Sequence, residues 1–123
     1  MPYAITSDPA GVRIVLSGVI THQDLQALAQ ELAVRDASQG VTPHRLTDLS
    51  AMTAPYPTFP DVRALVERRK GQALANAVKS ALVAPRPILL GFARMYQQLH
   101  AHPQITIEIF ASIVDAEAWL RAA

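Results

Sequence analysis

Few side chains in this sequence stand where they could act on another molecule, and each has a plainer structural role to be weighed against. Asp48 and Ser50 flank Leu49 at what reads as the carboxyl end of a strand, the place where open α/β sheets commonly hold ligands. Nucleophilic catalysis there would need a base within hydrogen-bond reach, and no Ser/His/Asp spacing supplies one. Capping of the turn by both side chains is the better account of them. Thr58 lies between Pro57 and Pro60, where a phosphate would meet the amide dipoles of a helix start and act as a switch. The preference of threonine for that position favours plain N-capping.

The cationic candidates are Arg94 and Arg69. Arg94 shares a helical face with Leu90 and Gln97, and an arginine beside an exposed leucine suits an anion or a subunit contact. The alternative is a surface arginine that snorkels or pairs with a carboxylate of its own chain. Arg69 projects near the apolar stripe of its helix and carries the same two readings. Its neighbours Glu67, Arg68 and Lys70 read as a solvated face, because nucleic-acid binding would call for more basic residues with aromatic interleaving. His100 and His102 are two apart beyond a helix end, and a metal would need at least one more ligand close in space. No acidic residue neighbours them in sequence, so no metal is expected. Neither a GxGxxG nor a GxxxxGK run is present, which weighs against nucleotide chemistry, and nothing implies a cofactor.

The elements that must position these residues follow from periodicity. Tyr3 to Asp8 and Val12 to Ser17 alternate as strands around the turn Asp8-Pro9-Ala10-Gly11, so the chain opens with a hairpin. Thr21 and Asp24 form a capping box for a helix that buries Leu25, Leu28, Ala29 and Leu32 and stops near Ser38 to Gly40. His44 to Leu49 is a short third strand. After a proline-rich loop from Ala51 to Pro60, a second helix presents Val62, Leu65, Val66 and Ala73. The pivotal unit is Val78 to Leu99: an apolar strand to Ala84, a break at Pro85 and Pro87, then a helix with Ile88, Phe92, Met95 and Leu99 on one stripe. Ile105 to Phe110 gives the last strand, and Ser112 to Arg121 a final helix docking through Ile113, Ala116, Trp119 and Leu120.

The order is therefore ββαβαβαβα. Strands covered on both sides read as continuous apolar runs, whereas strands covered on one side alternate. Residues 12–17 and 105–110 alternate, which predicts a mixed five-stranded sheet with helices mainly on one face. The second face is expected to be partly polar, free for a partner, a second subunit or water.

The totals bound the rest. A chain of 123 residues, half of them apolar, can bury a core as one domain spanning residues 1–123. There is no cysteine, which excludes thiol catalysis, disulfides and thiolate metal sites. With 11 basic against 10 acidic residues, no overall field recruits nucleic acid or a membrane surface. No signal peptide is visible, so a cytoplasmic location is expected, and no apolar stretch reaches the roughly 20 residues that span a bilayer.

Several stretches resemble one family. The entry Gly18-Val19-Ile20-Thr21 with Asp24, the Asp48-Leu49-Ser50 segment, Gly91-Phe92-Ala93-Arg94-Met95 and the closing Asp115-Ala116-Glu117-Ala118-Trp119-Leu120 together resemble the SpoIIAA-like proteins, a branch of the STAS-type (STAS/SEC14-like) fold. The resemblance implies an α/β superhelix whose members antagonise anti-sigma factors, regulate anion transporters or, in the lipid-transfer relatives, carry apolar ligands. Anti-sigma-factor antagonists share an Asp-Ser-Ser/Thr-Gly motif with a phosphorylated serine at the second helix. Here that junction reads Tyr56-Pro57-Thr58-Phe59-Pro60-Asp61, a departure from the motif. The expectation is a non-catalytic regulatory or protein-binding module, a homodimer with an unidentified protein partner, contacting it through Asp48, Ser50, Leu90 or Arg94. The alternative is a carrier of a small apolar ligand.

Overall fold

The structure is a computed structural model that describes residues 2–9, 11–71, 73–100 and 102–122. Its elements follow the expected order: β1 (Tyr3–Asp8), β2 (Gly11–Gly18), α1 (His22–Ala37), β3 (Arg45–Met52), α2 (Phe59–Lys70), β4 (Val78–Val83), α3 (Pro87–Leu99), β5 (Ile105–Phe110) and α4 (Ile113–Arg121). The five strands form one sheet in sequential order, β1 antiparallel to β2 and the remaining pairs parallel. Sequential parallel strands joined by right-handed crossovers put their connecting helices on the same side. Accordingly α1, α2 and α3 share one face of the sheet, around Ile14, Leu16, Leu49 and Leu82.

Local chemistry sets the ends of these elements. Gly11 opens β2 at φ 141°, and a Cβ there would lie 2.2 Å from the His44 carbonyl oxygen. That oxygen accepts the Val12 amide at 2.9 Å, so only glycine lets β2 approach the start of β3 this closely. Ala10, in the middle of the expected turn, lies outside the described residues. The Thr21–Asp24 capping box forms as expected, with bonds of 2.9 and 3.1 Å, and α1 stops at Ser38.

Four features differ from the sequence reading. β3 continues to Met52 because, past an irregularity between Val15 and Ser17, β2 pairs again with Ala51 and Met52; pairing overrides the weak strand preference of Asp, Ser and Ala. Asp48 and Ser50 therefore sit inside the strand, not at its carboxyl end. Ala73 is exposed beyond α2, which the Gly71 cap terminates. In α3 the buried positions are Leu89 and Ala93, with Phe92 and Tyr96 half-buried, while Ile88 is 58 % exposed. The first turn, Pro-Ile-Leu-Leu, is apolar all round and gives the periodicity no phase.

The fourth difference concerns the second face of the sheet. α4 packs on it, burying Ala116 and Leu120 against Leu46, Ala81 and Val83. Helices do lie mainly on one face, but the other is not bare. The crossover rule binds only helices that connect parallel strands, and α4 has no strand after it. No helix among the described residues is long and apolar enough to cross a membrane.

Candidate functional site

On the inner side of the sheet, registered positions form rows that run across the strands. One row is Ile14, Thr47, Leu82 and Ile109; the next is Val12, Arg45, Ser80 and Ile107. Two short side chains, Thr47 and Ser80, thus occupy the two central strands where leucines would fill the layer. Opposite them stand Leu25, Leu28, Ala29 and Leu32 of α1, Leu65 of α2, and Phe92 and Tyr96 of α3. Between them a cavity of about 70 Å³ remains open. A single water needs roughly 10–15 Å³ of such space. The cavity therefore has room for several waters or a small organic molecule.

The cavity is apolar over most of its wall and cationic at one end, where the carboxyl-terminal turns of α1, α2 and α3 meet the starts of β3 and β4. Arg45 and Arg69, each 5 % exposed, line that end. Arg45 donates to Asp36 of α1, and both side chains of that pair are nearly shut off from water. Burial and the neighbouring Arg69 draw the Arg45 pKa down, against the pull of Asp36; a guanidinium stays charged all the same.

Arg69 has no such partner. Its guanidinium makes no hydrogen bond or ion pair among the described residues, its Nε is buried and unsatisfied, and no acidic side chain lines the cavity. Burying an ion costs several kcal/mol after relaxation. Its place in the last turn of α2 recovers about 0.3–1 kcal/mol from the helix dipole, up to ~2 in partly buried geometries. The helix end does not offset the burial.

His100, at the end of α3, belongs to the same cluster. Its pKa is held down to about 4, first by burial, then by Arg69, His102 and Arg45, so the ring is neutral at pH 7. Its Nδ1 accepts the His102 amide at 3.4 Å, and His102 Nδ1 accepts the Gln104 amide at 3.1 Å. The two rings thus organise their own connection, and no third His, Cys, Asp or Glu among the described residues joins them as a metal set. Neither Thr47 nor Ser80 is hydrogen-bonded to a histidine or a carboxylate within the described residues.

The residues singled out from the sequence are scattered relative to this cavity. Asp48 lies on the α4 face, buried, its Oδ1 accepting the Ser50 amide at 3.0 Å; Ser50 is exposed. Thr58 is the N-cap residue of α2, and Asp61 accepts from its amide at 2.8 Å and its hydroxyl at 3.0 Å. Those bonds, with His22 3.2 Å away, hold the Asp61 carboxyl below its usual range. A phosphate on Thr58 would meet that carboxylate at close quarters. Leu90 is half-buried and Arg94 exposed on α3. None of these lines the cavity, whereas Arg69, the basic residue near its helix's apolar stripe, does. It leaves the solvated face that Arg68 and Lys70 keep, where Arg68 reaches Gln26 and Gln30 of α1 and Lys70 stands 3.8 Å from Glu67. Arg45 gave no signal in the sequence except its place one residue before the apolar Leu46.

No protein-family model matches the chain, and none of the curated proteins matches its sequence. Among solved structures it is similar to an uncharacterised protein of the DUF3478 family with a SpoIIAA-like fold from Shewanella loihica PV-4. The TM-score is 0.63 at 14 % identity, over 96 % of this chain and 91 % of that one. The sequential strand order, the opening hairpin and the three helices on one face therefore amount to a SpoIIAA-like fold.

Proposed function

We propose that this domain is a non-catalytic binding module and that the cavity between the sheet and α1 to α3 receives a small, mostly apolar ligand. The observation that carries the reading is the cavity itself, about 70 Å³ of open space in a layer otherwise closed by leucines. Protein interiors are close-packed and ordinarily leave few voids larger than a water molecule. Thr47, Ser80 and Ala29, short residues at facing positions, hold this one open.

Hexan-1-ol is a suitable probe because it fits an apolar wall and carries no charge. Titrated into the protein, it should shift the methyl resonances of Leu28 and Leu82 saturably. Those of Val83 and Leu120, packed under α4, should stay in place. Absence of a saturable shift at Leu28 and Leu82, with hexan-1-ol and with charged analogues of the same chain alike, overturns the reading.

A second reading, pairing of two copies through α3, draws support from Ile88, 58 % exposed, and from exposed Arg94 beside half-buried Leu90. It is the form in which the protein-binding role implied by the resemblance would operate. Light scattering across a concentration series tests it: mass should rise toward twice that of the chain, and a concentration-independent monomer removes it.

A further inference from the structure

The polar end of the cavity says more about the ligand than its volume does. Of the two buried guanidinium groups there, Arg45 is already neutralised by Asp36, and among the described residues no carboxylate lines the cavity to serve Arg69. Arg69 is 5 % exposed, makes no hydrogen bond or ion pair among the described residues, and carries a buried, unsatisfied Nε. Buried charges in proteins are ordinarily paired or ligated, and no described residue of the chain supplies that partner for Arg69.

We propose that the cavity takes a monocarboxylate with a short apolar chain, its carboxylate paired with the Arg69 guanidinium and its chain lying among Leu28, Leu82 and Phe92. The inference rests on the cavity being the ligand site and adds the chemistry of the ligand. One unpaired cation calls for one negative charge. A phosphate dianion would leave charge over in an apolar wall, and an amine would stand against Arg69 and Arg45. The planar guanidinium fork matches a carboxylate in geometry as well as charge. His100 does not alter the count, since it is neutral at pH 7. Tyr96, which also lines the cavity, borders the cationic end and can donate its hydroxyl to an anion held there.

The experiment compares three ligands of one chain length, hexanoate, hexan-1-ol and hexylamine, by calorimetric titration of the wild-type protein at pH 7. Inorganic phosphate serves as a competitor. Hexanoate is expected to bind at least about tenfold more tightly than hexan-1-ol, as a charge-assisted hydrogen bond provides, with hexylamine weakest and phosphate failing to displace hexanoate. In Arg69→Met the preference of hexanoate over hexan-1-ol should vanish while hexan-1-ol binding persists. Equal affinity of hexanoate and hexan-1-ol for the wild type would overturn the carboxylate and leave the cavity reading standing. Displacement by phosphate at equal concentration would overturn the role of the apolar chain. If none of the three binds, the cavity reading falls and the carboxylate with it. The wild-type comparison decides without the variant, should Arg69→Met fail to fold.

Discussion

The two faces of the sheet treat their cations differently: those under α4 are partly exposed, whereas Arg45 and Arg69 on the other face are buried. Under α4, the cations are answered from within the chain. Arg13 pairs with Glu117 at 2.8 Å through one end of its guanidinium, while its Nε, like that of Arg69, is buried without a hydrogen bond. Lys79 donates to the carbonyls of Trp119 and Ala122 at 2.8 and 2.6 Å and lies 5.2 Å over the Trp119 ring. Only about 10 Å³ is left open between Arg13, Leu46 and Leu120. Under α1 to α3, Arg45 finds Asp36, Arg69 finds no partner among the described residues, and the adjoining space is about seven times larger. The first face is a seam closed by Ala116 and Leu120 against Leu46, Ala81 and Val83, with its ion pairs at the rim. The second leaves that space open beside Arg69, and it is there that we place a ligand.

Substitutions on the two faces test this difference, beginning where the effect is largest. Asp36→Asn leaves a second buried guanidinium unpaired and should cost about 3–5 kcal/mol in urea unfolding; a loss under 1 kcal/mol would show that Arg45 is less confined than its burial implies. Leu89→Ala, at a fully buried position that ties α3 to the sheet, should cost about 2–5 kcal/mol, and an unchanged midpoint would mean that α3 is not anchored there. Smaller still is the response to acid. His100 has a folded pKa of about 4 against 6.5 for the free side chain, so between those values the unfolded chain takes up protons that the folded one refuses. Stability is whole above pH 6.5 and falls on acidification towards pH 4, by about 1–2 kcal/mol once the shift is discounted for the ring's partial exposure. His44, lowered by burial and by Lys79, acts with the same sign. His100→Gln should flatten the fall, and an equally steep fall in that variant would assign it to other groups. Smallest of all, Arg13→Met on the α4 face should cost no more than about 1 kcal/mol, since the partly exposed Glu117 it abandons stays hydrated; a loss above 2 kcal/mol would make that seam electrostatic rather than apolar.

Much of this was legible in the sequence, and the gaps have physical causes. Element order, the α1 capping box, Thr58 as a cap and the docking residues of α4 follow from local chemistry and period. The side of the sheet that α4 occupies does not, because a terminal helix has no crossover to constrain it, although the unbroken apolar run from Ala81 to Ala84, in and just after β4, was a sign of cover on both faces. The phase of α3 was hidden by a first turn apolar in every direction. Arg69 could be picked out because it breaks the pattern of its own helix. Arg45 could not, because its burial depends on Asp36 and Ser80, which only the folded sheet and α1 bring beside it. The cavity lies beyond sequence reading altogether, being a property of three short residues that meet in space.

The most direct test of an unanswered charge is to remove it. In ligand-free protein at pH 7, Arg69→Met exchanges a buried, unpaired cation for an apolar chain of similar length, and its unfolding free energy in urea should exceed that of the wild type by about 1–3 kcal/mol. A variant less stable than the wild type by 1 kcal/mol or more would mean that Arg69 is already satisfied inside the chain, and nothing would then be missing from the cavity.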